Sequence, residues 1–307
     1  MSGTSSFFQK QPMMRRMLLA LLPIYVFSIF AYGPYVIFLS FVVFTTGIFV
    51  EYLFESRKNK PVSEAVLVTC MLLTLAMPPR VPLWLAIIAT AFAVVFGKEV
   101  YGGFGRNVFN PAITGRLFVY ITFPLLMTKG WVKPSPFGVD LVTSATPLEI
   151  LRHGGSVGLL DLFLGWRAGS IGEAPIFLII ASAIYLIVTK TASWRIIIST
   201  LISAFVTTLV FDLANVANAL PTIPAILSGS LLFVAIFMAT DPISAPKKAI
   251  SHWYYGVIIG VSGVIIRTFS LFPEGWSFAL LLGNTFAPLL DEIVKEKKKP
   301  SSKKVTV

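Results

Sequence analysis

Long apolar segments recur along most of this chain and set the strongest limit on its fold. Its mean hydropathy is +0.82 and 13% of its residues are charged, against about 25% in soluble domains. A bilayer core ~30 Å thick is crossed by about 20 apolar residues in a helix. We therefore predict an all-α integral membrane protein, with residues 1–307 as a single membrane domain. About ten transmembrane helices are expected, at residues 17–32, 35–54, 62–77, 81–96, 112–127, 174–189, 194–213, 223–240, 253–269 and 276–290.

Positive charge is divided unevenly between alternate connections. Eighteen of the 25 Lys and Arg residues fall on one side, six fall on the other, and Arg116 lies just inside a span. Because Lys and Arg collect in cytoplasmic loops, we predict that both termini are cytoplasmic. The basic tail at 295–304 is expected to anchor the topology and to touch anionic membrane lipid. The net charge of +11 is explained in this way, and no nucleic-acid partner is expected.

The amino terminus has one feature of a signal peptide, since Arg15 and Arg16 precede an apolar run. No small-residue cleavage site follows, and a second span begins almost at once. We therefore expect a retained first helix.

One connection, residues 128–173, is much longer than the rest. Its length of about 46 residues compares with two to eight in typical helix connections. The charge pattern places it on the outer face, and it contains a short amphipathic segment at 159–166. It has too many aromatic and aliphatic residues for a disordered loop, so a functional role is favoured.

A weak internal repeat divides the spans into five plus five. Asn107-Val-Phe-Asn-Pro111 recurs as Asn284-Thr-Phe-Ala-Pro288, and the third and eighth spans both end in proline-rich turns. The division puts those two turns on opposite faces, which is typical of an inverted-topology repeat. The alternative is that short Asn-Pro and Pro-Pro pieces recur by chance.

Thr146 is the residue with the most specific chemical interpretation. Thr146-Pro-Leu-Glu149 fits a capping box, with Thr146 as N-cap and Pro147 at the first helical position. The threonine hydroxyl could also carry a phosphate-bearing group, although a four-residue pattern by itself favours the capping role. The two interpretations are compatible, because a helix start favours an anion as well as a capping oxygen.

From about Gly97 onward the chain resembles the RnfD/NqrB family of membrane subunits from redox-driven ion pumps. The short amino terminus is more similar to RnfD than to NqrB, which has a longer extension. Leu141 and Ser144 stand where glycines are common. The resemblance rests on four motifs in order, namely the Gly-rich segment 102–115, the sequence Thr143, Ser144, Ala145 and Thr146, the turn 240–246, and the closing segments 273–279 and 282–291.

This resemblance implies a function and a set of cofactors. The chain would be the membrane electron-transfer subunit of an Rnf-type ion-translocating ferredoxin:NAD oxidoreductase, not catalytic alone, in the bacterial or archaeal cytoplasmic (inner) membrane. Thr146 would carry FMN through a phosphoester, and a noncovalent riboflavin would be a second carrier. The partners would be other Rnf subunits, especially the FMN-bearing RnfG and the membrane subunits RnfA and RnfE.

Three polar residues are candidates for the second flavin. Asn107 and Asn110 lie in a Gly-rich connection on the predicted cytoplasmic face, where amides could read the hydrogen-bonding edge of a flavin ring. They could equally cap broken helices. Asp241 could cap the ninth helix, contact the ring or belong to a cation path, and capping is the favoured single role.

Other residues favour structural interpretations. Glu64 and Asp212 lie near span ends, and we expect neither to be an ion ligand. A small-solute channel or secondary transporter without a redox cofactor is the main alternative function, and a purely structural membrane anchor is another. Further structural assignments are a core position for Cys70, no metal site at His153 and His252, and a helix-packing face at Gly256, Gly260 and Gly263.

Overall fold

Helices account for most of the protein. The computed structural model describes residues 7–139, 142–270 and 274–296. Its only sheet within that part of the chain pairs β1 (Phe8–Gln9) with β2 (Val62–Ser63) in parallel. The helices are α1 (Pro12–Tyr32), α2 (Tyr35–Glu55), α3 (Ala65–Ala76), α4 (Leu83–Gly97), α5 (Pro111–Thr122), α6 (Pro124–Lys129), α7 (Pro147–Arg152), α8 (Leu159–Leu164), α9 (Ile176–Val188), α10 (Trp194–Leu213), α11 (Thr222–Leu227), α12 (Leu231–Phe233, continued by a π-helical turn at Val234–Met238), α13 (Ser251–Phe269) and α14 (Gly275–Glu296).

Long apolar helices confirm the predicted membrane fold. A helix satisfies its backbone hydrogen bonds internally, which a segment in lipid must do. Each of the ten predicted spans coincides with helix, so the chain is an all-α, multi-pass membrane protein. Within the described residues, five segments are long and apolar enough to cross a bilayer: Pro12–Tyr32, Tyr35–Lys58, Leu83–Tyr101, Trp194–Leu213 and Gly275–Val294.

Two predicted spans are broken, which corrects their boundaries. The span at 112–127 divides at Phe123, which has φ −129° and ψ 56°, because the proline after it disfavours helical backbone at that position. The span at 223–240 divides between α11 and α12. Gly229, with φ +76°, turns the chain there in a conformation that suits glycine.

The ends of the helices meet on two opposite faces. We call the side that holds the start of α1 the N face. There α1 meets the start of α3 and the end of α9, and α14 ends against the residues before α13. The contacts that define the N face are Arg15–Glu64, Arg16 Nη1 to the Thr189 carbonyl, Trp194–Trp253 and the Lys248 amide to Asp291.

The opposite side, which we call the loop face, carries residues 128–173. The ends of α1, α3 and α13 and the start of α14 lie there. The contacts are the Ser135 amide to the Ala31 carbonyl, the Gly172 amide to the Leu75 carbonyl, Arg152 to the Arg267 carbonyl, and Arg116–Glu274.

These contacts give corresponding helices of the two halves opposite directions. Helix α3 runs from the N face to the loop face, whereas α12 runs from the loop face to the N face. The same reversal relates α4 to α13 and α5 to α14. In the first half α4 packs on α2 and α5, and in the second α13 packs on α10 and α14. The arrangement agrees with the predicted five-plus-five inverted repeat.

Candidate functional site

The predicted attachment motif is hydrogen-bonded to the first part of the loop that contains it. Val132 and Thr143 form an isolated antiparallel bridge, and the Ser144 amide donates to the Trp131 carbonyl at 3.4 Å. Thr143 and Ala145 are exposed, whereas Ser144 and Thr146 are half-buried. Leu141, the other departure from the family pattern, lies outside the described residues. This pairing positions the residues just before α7, so that Thr146 lies at the start of the helix.

Thr146 is the N-cap of α7, as predicted. Its backbone is extended, with φ −71° and ψ 155°, and Pro147 follows at the first helical position. The Glu149 amide donates to Thr146 Oγ1 at 3.3 Å. Within the described residues no acceptor is found for the hydroxyl proton. The capping role therefore leaves the hydroxyl accessible for chemistry.

Two cavities meet at Thr146. The wider one, which we call the loop cavity, has a volume of about 610 Å³ and is bordered by Lys129, Thr143, Arg152 and His153. The narrower one, the deep cavity, has a volume of about 40 Å³ and extends towards the middle of the bundle. Trp131, Thr146 and Leu148 line both cavities.

The deep cavity is lined by buried ionic groups. Arg116 Nη1 lies 3.0 Å from Glu173 Oε1, and Arg116 Nη2 lies 2.6 Å from Glu274 Oε1. Ser170 Oγ accepts from the same Nη2 at 3.0 Å. Arg167 and Arg267 also line the cavity and are 6% and 5% exposed. Three guanidinium groups therefore face two carboxylates.

Sequence reasoning does not identify this cluster. Arg116 lies just inside a predicted span, and an ionisable residue at that depth is a functional candidate by default. That signal could have found Arg116. Its partners Glu173 and Glu274 are 57 and 158 residues away in the chain, so no local pattern connects them.

A third cavity, on the N face, brings together Asn107, Asn110 and Asp241. This N-face cavity has a volume of about 40 Å³. Lys98, which is buried and ion-paired to Glu51 at 2.5 Å, also borders it. The remaining lining is largely apolar, from Met13, Met14, Met17, Ala65, Val68, Leu72, Phe104, Pro111, Phe237, Pro242 and Ile243, with Thr69 and Thr191. A mostly apolar cavity with a few convergent polar groups is typical of a cofactor site.

The two asparagines differ in how far their amides are occupied. Asn110 caps α5, because its Oδ1 accepts from the Ala112 and Ile113 amides at 3.0 and 3.4 Å. Its Nδ2 donates to the Met238 carbonyl at 3.2 Å. Asn107 Nδ2 donates to the Phe109 carbonyl at 3.1 Å, and no partner for its Oδ1 is found among the described residues. Asn107 is therefore the amide better placed to meet a ligand.

Asp241 caps a turn, not the ninth helix. Its Oδ2 accepts from Ser244 Oγ at 2.7 Å and from the Ser244 amide at 3.2 Å. The ninth span, α13, begins ten residues later at Ser251, with Ile250 as its N-cap. Asp241 is therefore a cap, as predicted, but it caps the turn at Ser244 and not α13, so the predicted element was wrong.

Glu64 and Asp212, the acids nearest the span ends, both have protein partners. Glu64 receives Arg15 in a bidentate pair, with Arg15 Nη2 2.5 Å from its Oε1. Asp212 Oδ2 accepts from the Thr222 amide and Oγ1 at 2.9 and 2.7 Å. In the part of the chain that the structure describes, no group of three His, Cys, Asp or Glu side chains could hold a metal.

Comparison with known proteins decides the family. The family model described as NQR2, RnfD, RnfE matches residues 5–299. The chain belongs to this family. The match covers both halves of the repeat and all three cavities of this family member.

Several relatives, each named as a subunit of a Na(+)-translocating NADH-quinone reductase, are similar to this member of the family. The Azotobacter vinelandii protein is 37% identical over 265 residues, which cover 82% of this chain and 65% of the relative. A Pseudomonas aeruginosa protein is 38% identical over 263 residues, covering 82% and 64%. A Yersinia pestis protein is 37% identical over 269 residues, also covering 82% and 64%. The chain thus spans just under two thirds of the relatives it matches.

Proposed function

We propose that this chain is the membrane electron-transfer subunit of an ion-translocating oxidoreductase of the Rnf type, with FMN covalently attached to Thr146. The observation that carries the proposal is Thr146 itself. Its half-buried hydroxyl lies where the loop cavity and the deep cavity meet, within the motif Thr143, Ser144, Ala145 and Thr146. Membership of the family supplies the reason to expect redox chemistry at that position.

The groups around Thr146 fit a flavin phosphoester. The loop cavity is large enough for a tricyclic ring, since its volume of about 610 Å³ lies within the range of about 300–1000 Å³ usual for cofactor cavities. Trp131 lines it with an aromatic side chain, and Lys129 and Arg152 add positive charge near the attachment point. The bound flavin would supply the electron-carrying chemistry, while the protein supplies anchoring and electrostatics.

The N-face cavity is our candidate for a second, noncovalent flavin, riboflavin, which requires the lining side chains to move apart because the closed cavity holds about 40 Å³. Asn107 and Lys98 supply polar groups at its border, and Met14, Met17 and Phe237 supply apolar surface. The loop cavity and the N-face cavity lie on opposite faces of the bundle. A bilayer core of ~30 Å is too wide for one electron-transfer step, so a carrier on each side shortens the gap.

The family assignment is compatible with two different pairs of electron donor and electron acceptor. Names of the similar relatives specify a Na+-translocating NADH-quinone reductase, which makes that activity the second candidate for the complex. The Rnf-type assignment predicts electron flow between reduced ferredoxin and NAD instead. It also predicts the partners RnfG, RnfA and RnfE in the cytoplasmic membrane, with both termini of this chain inside.

Covalent flavin is tested by denaturing electrophoresis. The chain should be expressed with its partner subunits and a flavin transferase, since a threonine hydroxyl is a weak nucleophile without activation. We expect an ultraviolet-fluorescent band at the mass of this chain, absent from Thr146→Ala. Thr143→Ala is the matched control, because Thr143 lines the same cavity, and its band should stay bright. A fluorescent Thr146→Ala band contradicts the attachment site.

The identity of the electron donor has to be tested with the complete complex. Membrane vesicles containing it should reduce NAD with reduced ferredoxin and build an ion gradient. NADH-driven quinone reduction without ferredoxin coupling would favour the second candidate. A colourless purified chain that transports a solute would instead support the transporter alternative.

A further inference from the structure

Arg267 has hydrogen-bond donors without partners inside the deep cavity. It lies in the last turn of α13 and is 5% exposed. Its Nη1 donates to the Ala225 carbonyl at 2.9 Å, but its buried Nε and Nη2 have no hydrogen-bond partner among the described residues. A buried charged donor left unpaired is destabilising.

The groups around the two neighbouring arginines do not provide an acceptor for the unpaired donors of Arg267. Arg116 is engaged by Glu173 and Glu274. Arg167 Nη2 donates to the Glu173 carbonyl at 2.7 Å, whereas its buried Nε has no partner in the described part of the chain. With three arginines and two glutamates lining the cavity, one positive charge is in excess. Such an arrangement calls for an anion that the described chain does not itself provide.

Gly229 lies against the Arg267 guanidinium group and leaves space for it. Gly229 has φ +76°, and a Cβ built on it would lie 3.0 Å from Arg267 Nη2. A side chain there would therefore crowd the guanidinium group as well as strain the backbone. Gly229 lines the same cavity as Thr146 and Arg267, so the unpaired donors lie beside that cavity, buried just behind its wall.

We propose that Arg267, assisted by Arg167, is the phosphate-binding subsite for the flavin attached to Thr146. The proposal rests on the proposed function, because it takes the flavin phosphoester as the anion. A phosphate esterified on two sides is a monoanion, which matches the one excess positive charge. Guanidinium groups suit phosphate oxygens because their N–H donors form a planar fork. Both arginines act as positioning residues and take no part in electron transfer.

The first test uses Thr146→Ala protein, purified in its complex and free of covalent flavin at this site. Equilibrium dialysis should compare FMN with riboflavin, which has the same ring and no phosphate, in protein that also carries Asn107→Ala so that the proposed N-face riboflavin site contributes little. We expect FMN to bind more tightly by about tenfold or more, as loss of a charge-assisted hydrogen bond implies. Inorganic phosphate should compete with FMN. Adding Arg267→Gln should abolish the preference, whereas Arg195→Gln, which removes a charge on the N face, should preserve it.

The second test separates phosphate binding from a general structural role. Unfolding midpoints should be measured for Arg267→Gln and Arg267→Lys with and without covalent flavin, as a double-mutant cycle. We expect Arg267→Gln to lower the midpoint more in the flavin-bearing protein than in the flavin-free protein. Arg267→Lys keeps the charge and should fall between. Equal losses in both forms contradict the proposal.

The two proposals fail in different ways. Covalent fluorescence that survives Thr146→Ala overturns the attachment site, while phosphate competition at Arg267 can still be measured. If Thr146→Ala removes the covalent flavin but the flavin-free protein binds FMN and riboflavin equally, the subsite is overturned and the attachment site stands.

Discussion

The backbone N–H of Asn110 donates to Oδ1 of Asn284 at 3.2 Å. These residues belong to the two copies of the repeated asparagine motif, so the halves of the bundle meet at the feature that they share. Asn284 is fully buried, and its Nδ2 donates to Tyr255 Oη at 2.7 Å. Asn110 in turn donates from Nδ2 to the Met238 carbonyl, at the end of broken helix α12. The asparagines thus join the two halves and hold the end of a helix.

This contact predicts that Asn284→Ala destabilises the protein. The substitution leaves the Asn110 amide without its acceptor and removes a partner of the Tyr255 hydroxyl, at about 1–3 kcal/mol for each buried unpaired group. Thermal unfolding in detergent would measure the loss. Thr285→Ala, next in sequence but exposed, should change stability far less. Similar effects from both substitutions would contradict an interlocking role for Asn284.

Arg116→Met should be among the most destabilising substitutions in the chain. It would leave the buried Glu173 and Glu274 carboxylates without their cation, at about 3–5 kcal/mol for a broken buried pair. Chemical denaturation would measure the effect. Replacing both glutamates by glutamine in the same variant should restore more than half of the loss. No recovery would mean that packing of the Arg116 stem, not charge pairing, dominates.

Asn107→Ala should lower the riboflavin content with little loss of stability. Among the described residues its side-chain amide has one hydrogen-bond partner, the Phe109 carbonyl, whereas the Asn110 side chain caps α5. The Asn107→Ala, Asn110→Ala double variant should therefore lose both riboflavin and stability. Acid extraction of the purified complex gives the riboflavin content, and covalent FMN should be unaffected. An unchanged riboflavin content in folded Asn107→Ala protein would contradict a role for Asn107 in binding the second carrier.

Topology can be tested with single cysteines in a Cys70→Ser background. Cys70 is a buried free cysteine, so its removal clears the background of thiols. We expect Val139→Cys, which is 59% exposed, to react with an impermeant thiol reagent on intact cells. Pro300→Cys, in the basic tail, should be protected until the cells are opened. The reverse pattern would place the loop face in the cytoplasm.

Gly115→Ala should disrupt the packing of α5 on α4. A Cβ at this position would collide with the Ala89 carbonyl and the Ala93 side chain, and overpacking typically costs about 1–3 kcal/mol. Gly169→Ala is the matched control, because nothing lies within 4 Å of its Cβ position. A comparison of unfolding midpoints checks the difference, and equal values would show that the helices shift apart without loss.

Glycine spacing is informative elsewhere in the chain. The stripe of Gly256, Gly260 and Gly263 predicts a packing face, and the structure confirms it. A Cβ on Gly256 or Gly260 would collide with Ser199 or Ser203 of α10, and one on Gly263 would collide with Trp276. Small residues at helical spacing allow two helices to approach closely, so the pattern alone indicates the interface but not the partner helix.

The sequence by itself determined the helices and the local caps. An apolar run of about 20 residues satisfies its own backbone hydrogen bonds in lipid when it forms a helix. Thr146 and Asn110 cap helices through atoms three residues away or nearer. Only the tertiary structure decided where the span at 223–240 breaks and which charges share the deep cavity. Arg116 and Glu274 are 158 residues apart, and their contact exists only because the inverted halves bring the middle of α5 to the start of α14. Local patterns record local hydrogen bonds, whereas a buried cluster of charges is created by the packing of distant segments.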